Sequence, residues 1–521
     1  MGVPITKLNR EHPDYILFKE AWSDFDILNA GGARLKQAAQ QFLVKRPKEL
    51  FDVYSERIRR VTYQNIIGTA LGWYASALFK RNPQIQIKPA DKWYEDTFLL
   101  NCDRHRTTFV DAFRDVFRSI FLYRTAYILC DLPHPEIQPQ TRADEKELGL
   151  DDPYLVTYSP RDIINWANDE YGNLKWIVIK IQSESGDFLG NYEILTRWYY
   201  FDRTSFQIYE EKRARQEAGT NNLILYDPAG KEVTQEDTRE ADLIAEGDHA
   251  LASENRVPVV RAEVPEEMWM ANRVYLQLLD HFNQDNSYAW ALFNSNLAMP
   301  VIYSDRELKS ITVSEVAFLQ LGEKDRFEWT EPNGHSFEFS EKRLQALREE
   351  VYRSLWLQAQ GRSSAATPSA QSGYSKELDM TPSNDVLNRF GDVIRAAMQQ
   401  TGENISIMHG QKATSWDVYG FKFETKPVTE SVAVAQEMSD LGVFAASPTL
   451  EREAMKSVAN DFLEDRNDEI KNTVENEIDT SPTSVERDAI QQQQQQQAFA
   501  KSFNRIQTRG EVQDEGSALA A

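Results

Sequence analysis

The sequence predicts an α+β protein with long helices, and three observations support this prediction. Apolar residues recur at helical spacing over residues 15–80, short β-branched and aromatic runs dominate 153–264, and two strongly helical segments flank a short β-like insert. Apolar spacing of three and four residues is typical of helices, whereas short β-branched runs between turn residues are typical of strands. We therefore expect a mainly helical fold with one β-rich module.

The length and composition indicate a chain with more than one folded part, and its net charge argues against a protein that holds DNA tightly. A chain of 521 residues is long for one compact domain, and its 41% hydrophobic content is enough for real cores. The 81 acids outnumber the 58 bases, which gives a formal charge of −23. Holding DNA by its phosphates requires clustered Lys and Arg, so we do not expect a protein that grips DNA. The two cysteines, Cys102 and Cys130, have no metal-site spacing and are expected to be buried thiols.

The first half of the chain reads as helices followed by strands. Asn82-Pro83 is a stop signal after the N-terminal helices, and "QIQIKP" then predicts a strand. A helical pattern from Trp93 to Phe121 leads into "RTAYILCDLP" (124–133), which predicts a buried strand. In the module that follows, "NDEYGN" before Leu174 predicts a hairpin loop, and antiparallel pairing is the default.

The second half is organised by two long helices. The first is expected to begin at Pro265 and run to Ala298, about 50 Å at 1.5 Å per residue. Its segment "NSYAWALFNSNLAM" has no charge, which suggests burial against another surface. Ser340 is a suitable N-cap for the second helix and Gly361 a suitable stop. Because only a short insert separates them, the two helices should lie side by side and antiparallel.

Beyond residue 410 the pattern becomes a strand and then acidic helices. "DVYGFKFE" predicts a strand, a helix ends near Leu441-Gly442, and Ser447-Pro448 opens another. Seven consecutive glutamines at 491–497 and the polar residues after them indicate a disordered or weakly helical tail.

The link between the second long helix and the next one is unusual for so acidic a chain. Residues 351–376 contain no acid, where about four are expected from the composition. Ser, Ala, Gly and Thr dominate "QGRSSAATPSAQSGYSKELD" (360–379), with Arg362 and Lys376 as its cations. An ordinary exposed linker between helices is one interpretation. A loop that must pass close to a polyanion is the other.

No motif for catalysis is visible. GxxxxGK[ST], HExxH, CxxC and GxSxG are all absent, and no two of the seven histidines have metal-ligand spacing. Neighbouring Asp and Glu residues occur, but a chain with 81 acids contains such pairs by chance, so they do not indicate a catalytic site. We therefore expect no enzymatic activity, no catalytic residue, no metal and no cofactor.

The order of these landmarks resembles the portal proteins of tailed bacteriophages. The segments that carry the resemblance are "TALGWYASALFKRNPQIQIKP", "YILCDLP", "PYLVTYSPRDIINW", "RVPVV" before "LLDHFNQDNSYAWALFNSNLAMP", "SAQSGYSKELD", and "DLGVFAASPTLEREAMKSVANDFLED". They span roughly residues 15–480. The specificity lies in the order and spacing of several segments, since none is a catalytic signature.

Portal proteins are rings, typically of twelve subunits, that form the DNA channel at one capsid vertex. The resemblance implies a portal fold, with long stem helices, a β-rich wing, a small β-containing clip and a helical crown. The implied parts are the wing (1–264), first stem helix (265–298), clip (299–339), second stem helix (340–359), tunnel loop (360–376), long wing helix and return strand (377–429), crown (430–480) and a polar, Gln-rich flexible tail (481–521).

The resemblance also implies the residues that meet DNA. Small side chains would let one loop from every subunit crowd around the channel axis, and an acid there would be multiplied around the ring and repel phosphate. The implied channel residues are Arg362, Ser363, Ser364, Thr367, Ser369, Gln371, Ser372 and Lys376. The implied clip residues are Tyr303, Arg306, Lys309, Lys324, Arg326 and Trp329.

The implied partners are further copies of this chain, double-stranded DNA, the large terminase subunit, the major capsid and scaffolding proteins, and head–tail adaptors, with no membrane. The implied location is the virion, after assembly in the host bacterial cytoplasm. Two other functions stay open. One is a head–tail adaptor or scaffold without a channel, and the other is a monomeric phage DNA-processing enzyme, for which clustered metal-binding acids and a basic groove are missing.

Overall fold

The structure is a computed structural model, and it divides the chain into two compact units, residues 1–423 and 424–521. It describes residues 2–133, 150–186, 192–214, 225–226, 232–233, 239–295, 299–303, 326–330, 335–357, 373–421, 428–462, 468–487 and 489–498. The described elements are both helical and β, with helices in the majority, as the sequence predicts.

Six helices and two strands begin the first unit. The helices are α1 (Ile5–Leu8), α2 (Pro13–Ala30), α3 (Gly32–Phe42), α4 (Phe51–Arg59), α5 (Ile66–Leu78) and α6 (Phe109–Tyr123), with strands β1 (Val3–Pro4) and β2 (Gln84–Lys88). A π-helical turn, Tyr94–Phe98, precedes α6. Local sequence sets two of these starts, because the Asn65 side chain accepts a hydrogen bond from Gly68 N at 2.8 Å and Thr108 Oγ1 accepts one from Asp111 N at 3.1 Å.

The β-rich module is antiparallel, as expected. Its strands are β3 (Thr125–Asp131), β4 (Tyr154–Tyr158), β5 (Ile163–Asn168), β6 (Leu174–Gly186), β7 (Tyr192–Asp202), β8 (Ser205–Ala214), β9 (Leu225–Tyr226), β10 (Glu232–Val233), β11 (Glu240–Asp248) and β12 (Val259–Glu263). One sheet has the order β1-β11-β8-β7-β6-β5, a second has β12-β3-β4, and β9 pairs with β10. The predicted buried strand is β3, and the predicted hairpin loop joins β5 to β6.

Two long helices, a strand pair and a third long helix follow. They are α7 (Met270–Ser295), β13 (Met299–Tyr303), β14 (Arg326–Thr330), α8 (His335–Ser354) and α9 (Gly373–Met408), and β15 (Ser415–Tyr419) then pairs with β2. One large aromatic core joins α2, α5, α6, α7, α8 and α9. The third long helix supplies Val386, Leu387, Phe390, Ile394 and Met398 to it, so this helix crosses the core of the first unit.

Both long helices differ from the predicted bounds, and tertiary contacts explain the differences. Residues 266–268 form a 3-10 turn after Pro265, and α7 begins at Met270, because Trp269 is extended, buries its ring and donates its indole N–H to Leu122 O at 2.8 Å. The second helix begins at His335 rather than at Ser340, and the Phe337 ring packs against Tyr288, with 6.4 Å between ring centroids. It ends at Ser354, before the predicted Gly361.

The second unit is helical where it is described. It contains α10 (Val428–Asp440), α11 (Val443–Ala446), α12 (Pro448–Phe462) and α13 (Asp468–Thr480), and residues 484–487 and 489–498 are also helical. The Gln tract therefore takes the helical alternative of the sequence prediction, and the described side chains of 489–498 are exposed.

Candidate functional site

The two long helices α7 and α8 form an antiparallel pair. Three contacts fix their relative direction: Gln277 with Glu350 (3.4 Å), Asp280 with Arg343 (3.5 Å), and Tyr288 with Phe337. As residue numbers rise along α7 they fall along α8, so the helices run in opposite directions. The predicted side-by-side arrangement is confirmed.

One end of this pair is rooted in the core. Val274, Leu278 and Phe282 of α7, Val351 of α8 and Leu355 just after α8 are buried there. At the same end the Tyr74 hydroxyl donates to Leu355 O at 2.7 Å. Burying five large side chains stabilises this end by roughly 1.5–3 kcal/mol for each side chain.

Two asparagines that sequence reasoning missed attach α7 to the N-terminal helices. Asn283 accepts from Val44 N at 2.9 Å and donates to Phe42 O at 3.0 Å. Asn286, one helical turn further on, accepts from Thr62 N at 2.9 Å and donates to Thr62 O at 3.0 Å. The signal for them was their spacing of three residues on a charge-poor helix. Asn286, the first residue of the charge-free segment, therefore packs within its own chain against Thr62.

The other end of the pair is exposed in the single chain. Residues 338–346 of α8 are exposed except for Leu344, which is half-buried, and the Phe339 side chain is 74% exposed. At the same end of α7, Phe293 is 36% exposed, whereas Leu276, which is 76% exposed, lies near the rooted end. A helix of 20 residues is about 30 Å long, and only the last third of α8 reaches the core. Exposed helix faces of this kind are available to another protein surface.

A two-stranded tip joins the exposed ends of α7 and α8. Strands β13 and β14 are antiparallel, with Met299 opposite Thr330 and Tyr303 opposite Arg326. Tyr303 is 54% exposed, and Arg326 forms an ion pair with Glu328 on the same strand. The backbone of Trp329 pairs with Pro300. Of the predicted clip residues, Tyr303, Arg326 and Trp329 therefore lie together on this tip, whereas Arg306, Lys309 and Lys324 fall outside the described residues.

The predicted tunnel loop falls almost wholly outside the described residues. Arg362, Ser363, Ser364, Thr367, Ser369, Gln371 and Ser372 all do so. Helix α9 begins at Gly373, so Lys376 belongs to a helix rather than to a loop. The loop that joins α8 to α9 is thus shorter at its C-terminal end than the predicted range of 360–376. The role of these residues stays a prediction.

A buried ion pair that ties helix α4 to the residues before it was also missed. Arg57 Nη1 donates to both carboxylate oxygens of Glu49 at 2.9 Å, and the two side chains are 3% and 4% exposed. The Arg46 N–H and the Arg57 guanidinium outweigh the effect of burial and lower the pKa of Glu49. No sequence signal marks this pair among 81 acids and 58 bases.

Within the part of the chain that the structure describes, no three His, Cys, Asp or Glu side chains are grouped to hold a metal ion. None of the described helices is long and apolar enough to cross a bilayer. Both cysteines are buried, as expected, and burial raises the pKa of each to about 12.

No protein-family model and no curated protein matches the chain. Among solved structures, it is similar to a chain in the neck of an empty gene transfer agent (GTA) particle computed with C6 symmetry, at 11% identity and a TM-score of 0.34. It is also similar to a chain in the virion of a native GTA particle, at 12% identity and a TM-score of 0.34. Each match covers 79% of this chain and 94% of the other. A TM-score of 0.34 does not establish a common fold, and both remain similarities alone.

Proposed function

We propose that the chain is one subunit of a bacteriophage portal ring, through which double-stranded DNA is packaged, retained and ejected. The observation that supports this most directly is the antiparallel pair α7 and α8, with its root in the core, its other end exposed and a two-stranded tip. These elements occur in the order that the sequence landmarks require, and the core-crossing helix α9 follows them. The proposal includes no catalytic activity and no cofactor.

In this proposal each part of the helix pair has a role. The exposed faces around Leu276 and Phe339 contact neighbouring subunits, because a single chain leaves them in water. The tip, with Tyr303 and Arg326 at its outer end, meets the large terminase subunit during packaging and head–tail adaptors afterwards. The acid-free residues 358–372 line the narrowest part of the channel. The major capsid and scaffolding proteins contact the ring while the head assembles in the host cytoplasm, and the ring remains in the virion.

The charge of the chain supports a channel that guides DNA without holding it. The formal net charge of −23 disfavours tight contacts with DNA phosphates. Arg362 offers one cation per subunit in an otherwise uncharged loop. Replacing it by Glu would place a ring of acids against the DNA backbone in a confined space of low dielectric constant.

The test is the DNA content of capsids assembled with variant subunits. We expect Arg362→Glu to form normal rings but to package or retain less DNA, and Arg362→Ala to show a milder defect. Arg353→Glu is the matched control, because it makes the same charge change in helix α8. If Arg362→Glu capsids fill to the same length and at the same rate as unmodified ones, the loop does not act on DNA.

A head–tail adaptor without a channel is the second candidate, because a protruding helix pair with an exposed tip also suits docking between head and tail. Such a protein would need neither a closed channel nor an acid-free loop. In that case neither substitution at Arg362 would change the DNA content of capsids.

A further inference from the structure

The second unit, residues 424–521, leaves its apolar side chains poorly covered. Among the side chains of this unit that the structure describes, Phe444 is the one apolar side chain that is buried. Val432 is 46% exposed and Met455 is 41% exposed. Helices of this length are marginal in water unless an apolar face is packed. Another surface is therefore needed to cover these side chains.

Two of the exposed apolar side chains, Val432 and Met455, line one groove together with less exposed apolar neighbours. Helix α10 contributes Val432 and Ala435, and helix α12 contributes Met455 and Val458, in each case at spacings of three residues. Val474 of α13 also lines the groove, as do Phe444, Ala454 and Ala459. The groove has a volume of about 900 Å³, within the range of ligand-binding clefts. Its walls are helix faces, as in sites that receive an amphipathic helix.

Polar contacts hold the walls in place. Lys456 of α12 contacts Asp479 of α13 at 2.7 Å, and the Asn460 amide donates to Glu475 Oε1 at 3.0 Å. The buried Glu451 carboxylate accepts hydrogen bonds from Ser484 N at 3.0 Å and Ser484 Oγ at 2.8 Å. This contact fixes the start of the helical residues 484–487. These contacts fix α12, α13 and residues 484–487 relative to one another, so this side of the groove is preformed, which lowers the entropic cost of binding.

The negative charge of the second unit favours a basic binding partner for the groove. Residues 424–521 contain 19 acids and nine bases, a charge of −10. Three of the bases are already paired internally: Arg452 with Glu486 (3.7 Å), Lys456 with Asp479, and Arg487 with Glu451 (3.6 Å). A second copy would bring the same negative charge to the groove, which disfavours self-association here. A basic occupant gains from the same field.

We propose that this groove binds a basic amphipathic helix of another protein. The apolar side chains of that helix enter between α10 and α12, and its Lys and Arg side chains meet the acidic surroundings. The groove belongs to the second unit alone. The inference therefore goes beyond the proposed DNA channel and stands whether or not that proposal is correct.

The test uses the full chain and a fluorescein-labelled Leu/Lys amphipathic peptide, followed by fluorescence anisotropy. The key variant is Val458→Asp, which makes the unit more negative while placing a charge in the groove. If surface charge alone attracts the basic peptide, this variant should bind it at least as tightly as the unmodified chain does. If the peptide binds in the groove, we expect its affinity to fall about tenfold or more, because Val458→Asp either buries a charge or removes an apolar contact.

Two further variants make the result decisive. Ala435→Trp fills the groove from the opposite wall without changing the charge, and it should also weaken peptide binding about tenfold. This variant tests the groove independently if Val458→Asp disturbs folding. Ser457→Asp adds the same charge at an exposed position that does not line the groove, and it should bind like the unmodified chain. Circular dichroism checks the helix content of each variant.

Three outcomes would overturn the proposal. The first is that Ala435→Trp and Val458→Asp both bind the peptide as tightly as Ser457→Asp, so that attraction is to surface charge only. The second is that a Leu/Glu peptide of the same pattern binds equally well. The third is that the chain self-associates through the groove, shown by a native mass that both groove variants reduce.

Discussion

Helix α9 carries a glycine that the packing of strand β15 requires. A Cβ atom built on Gly402 would lie within 2.6 Å of three carbon atoms of the Trp416 ring. That ring is 3% exposed, and its N–H donates to Ser406 Oγ at 2.8 Å, so it has little freedom to move. Helix and strand approach this closely only because residue 402 has no side chain.

Replacing Gly402 by Ala sets two effects against each other. Alanine is preferred over glycine in a helix by about 0.5–1 kcal/mol. Overpacking a buried contact costs about 1–3 kcal/mol or more, and the whole Trp416 ring, rather than a flexible end, would have to shift. We expect the steric cost to exceed the gain and the first unit to lose about 1–2 kcal/mol.

Gly72 of α5 is the matched control. It is exposed, it lies inside a helix, and no atom lies within 4 Å of a Cβ built on it. The same substitution should therefore raise the stability of the first unit by about 0.5–1 kcal/mol. The two variants differ in the sign of their effect and not only in its size.

Urea unfolding followed by tryptophan fluorescence measures both variants. All eleven tryptophans precede residue 424, so the signal reports on the first unit alone. The midpoint should fall for Gly402→Ala and rise for Gly72→Ala, with an unchanged slope. A midpoint for Gly402→Ala at or above that of the unmodified chain would refute the close packing of α9 on β15.

Three other predictions concern the ion pair, the hairpin and the tip. Arg57→Met should destabilise the first unit by about 3–5 kcal/mol because it leaves the buried Glu49 carboxylate without its guanidinium partner. Adding Glu49→Gln should restore part of the loss, and urea unfolding measures both. Arg203 lowers the pKa of Asp169, in the hairpin loop between β5 and β6, to about 2. The stability that ionised Asp169 provides is therefore present above about pH 4 and is lost as the pH falls towards 2. Asp169→Asn should make the stability of the first unit depend less on pH in that window. Replacing 299–334 by a short linker removes Trp329 but should leave the urea midpoint of the core unchanged, and it should abolish DNA packaging.

The sequence predicts elements whose signals are local. Strand β3 was predictable from its apolar run, and the hairpin loop after β5 from Asn and Gly at turn positions. The antiparallel pairing of α7 and α8 followed from the short insert between them. These features depend on neighbours in sequence or on one connection length, which a single sequence displays directly.

Other features depend on contacts between distant segments. Ser340 is a good cap by its side chain, yet α8 starts a turn earlier, where Phe337 meets Tyr288 of another helix. The backbone contacts of Asn286 and the close approach at Gly402 join residues that only the folded chain brings together. The tunnel-loop assignment rests on composition and on the resemblance, so it stays a prediction.

Assembly of the purified chain tests the central claim most directly. Native mass spectrometry at micromolar concentration, with negative-stain imaging of the same sample, measures whether the chain closes into a ring. The portal proposal predicts a single multiple of the 60.0 kDa subunit mass and rings with a central hole wide enough for duplex DNA. A stable monomer across several salt concentrations, or open filaments without a hole, would contradict it.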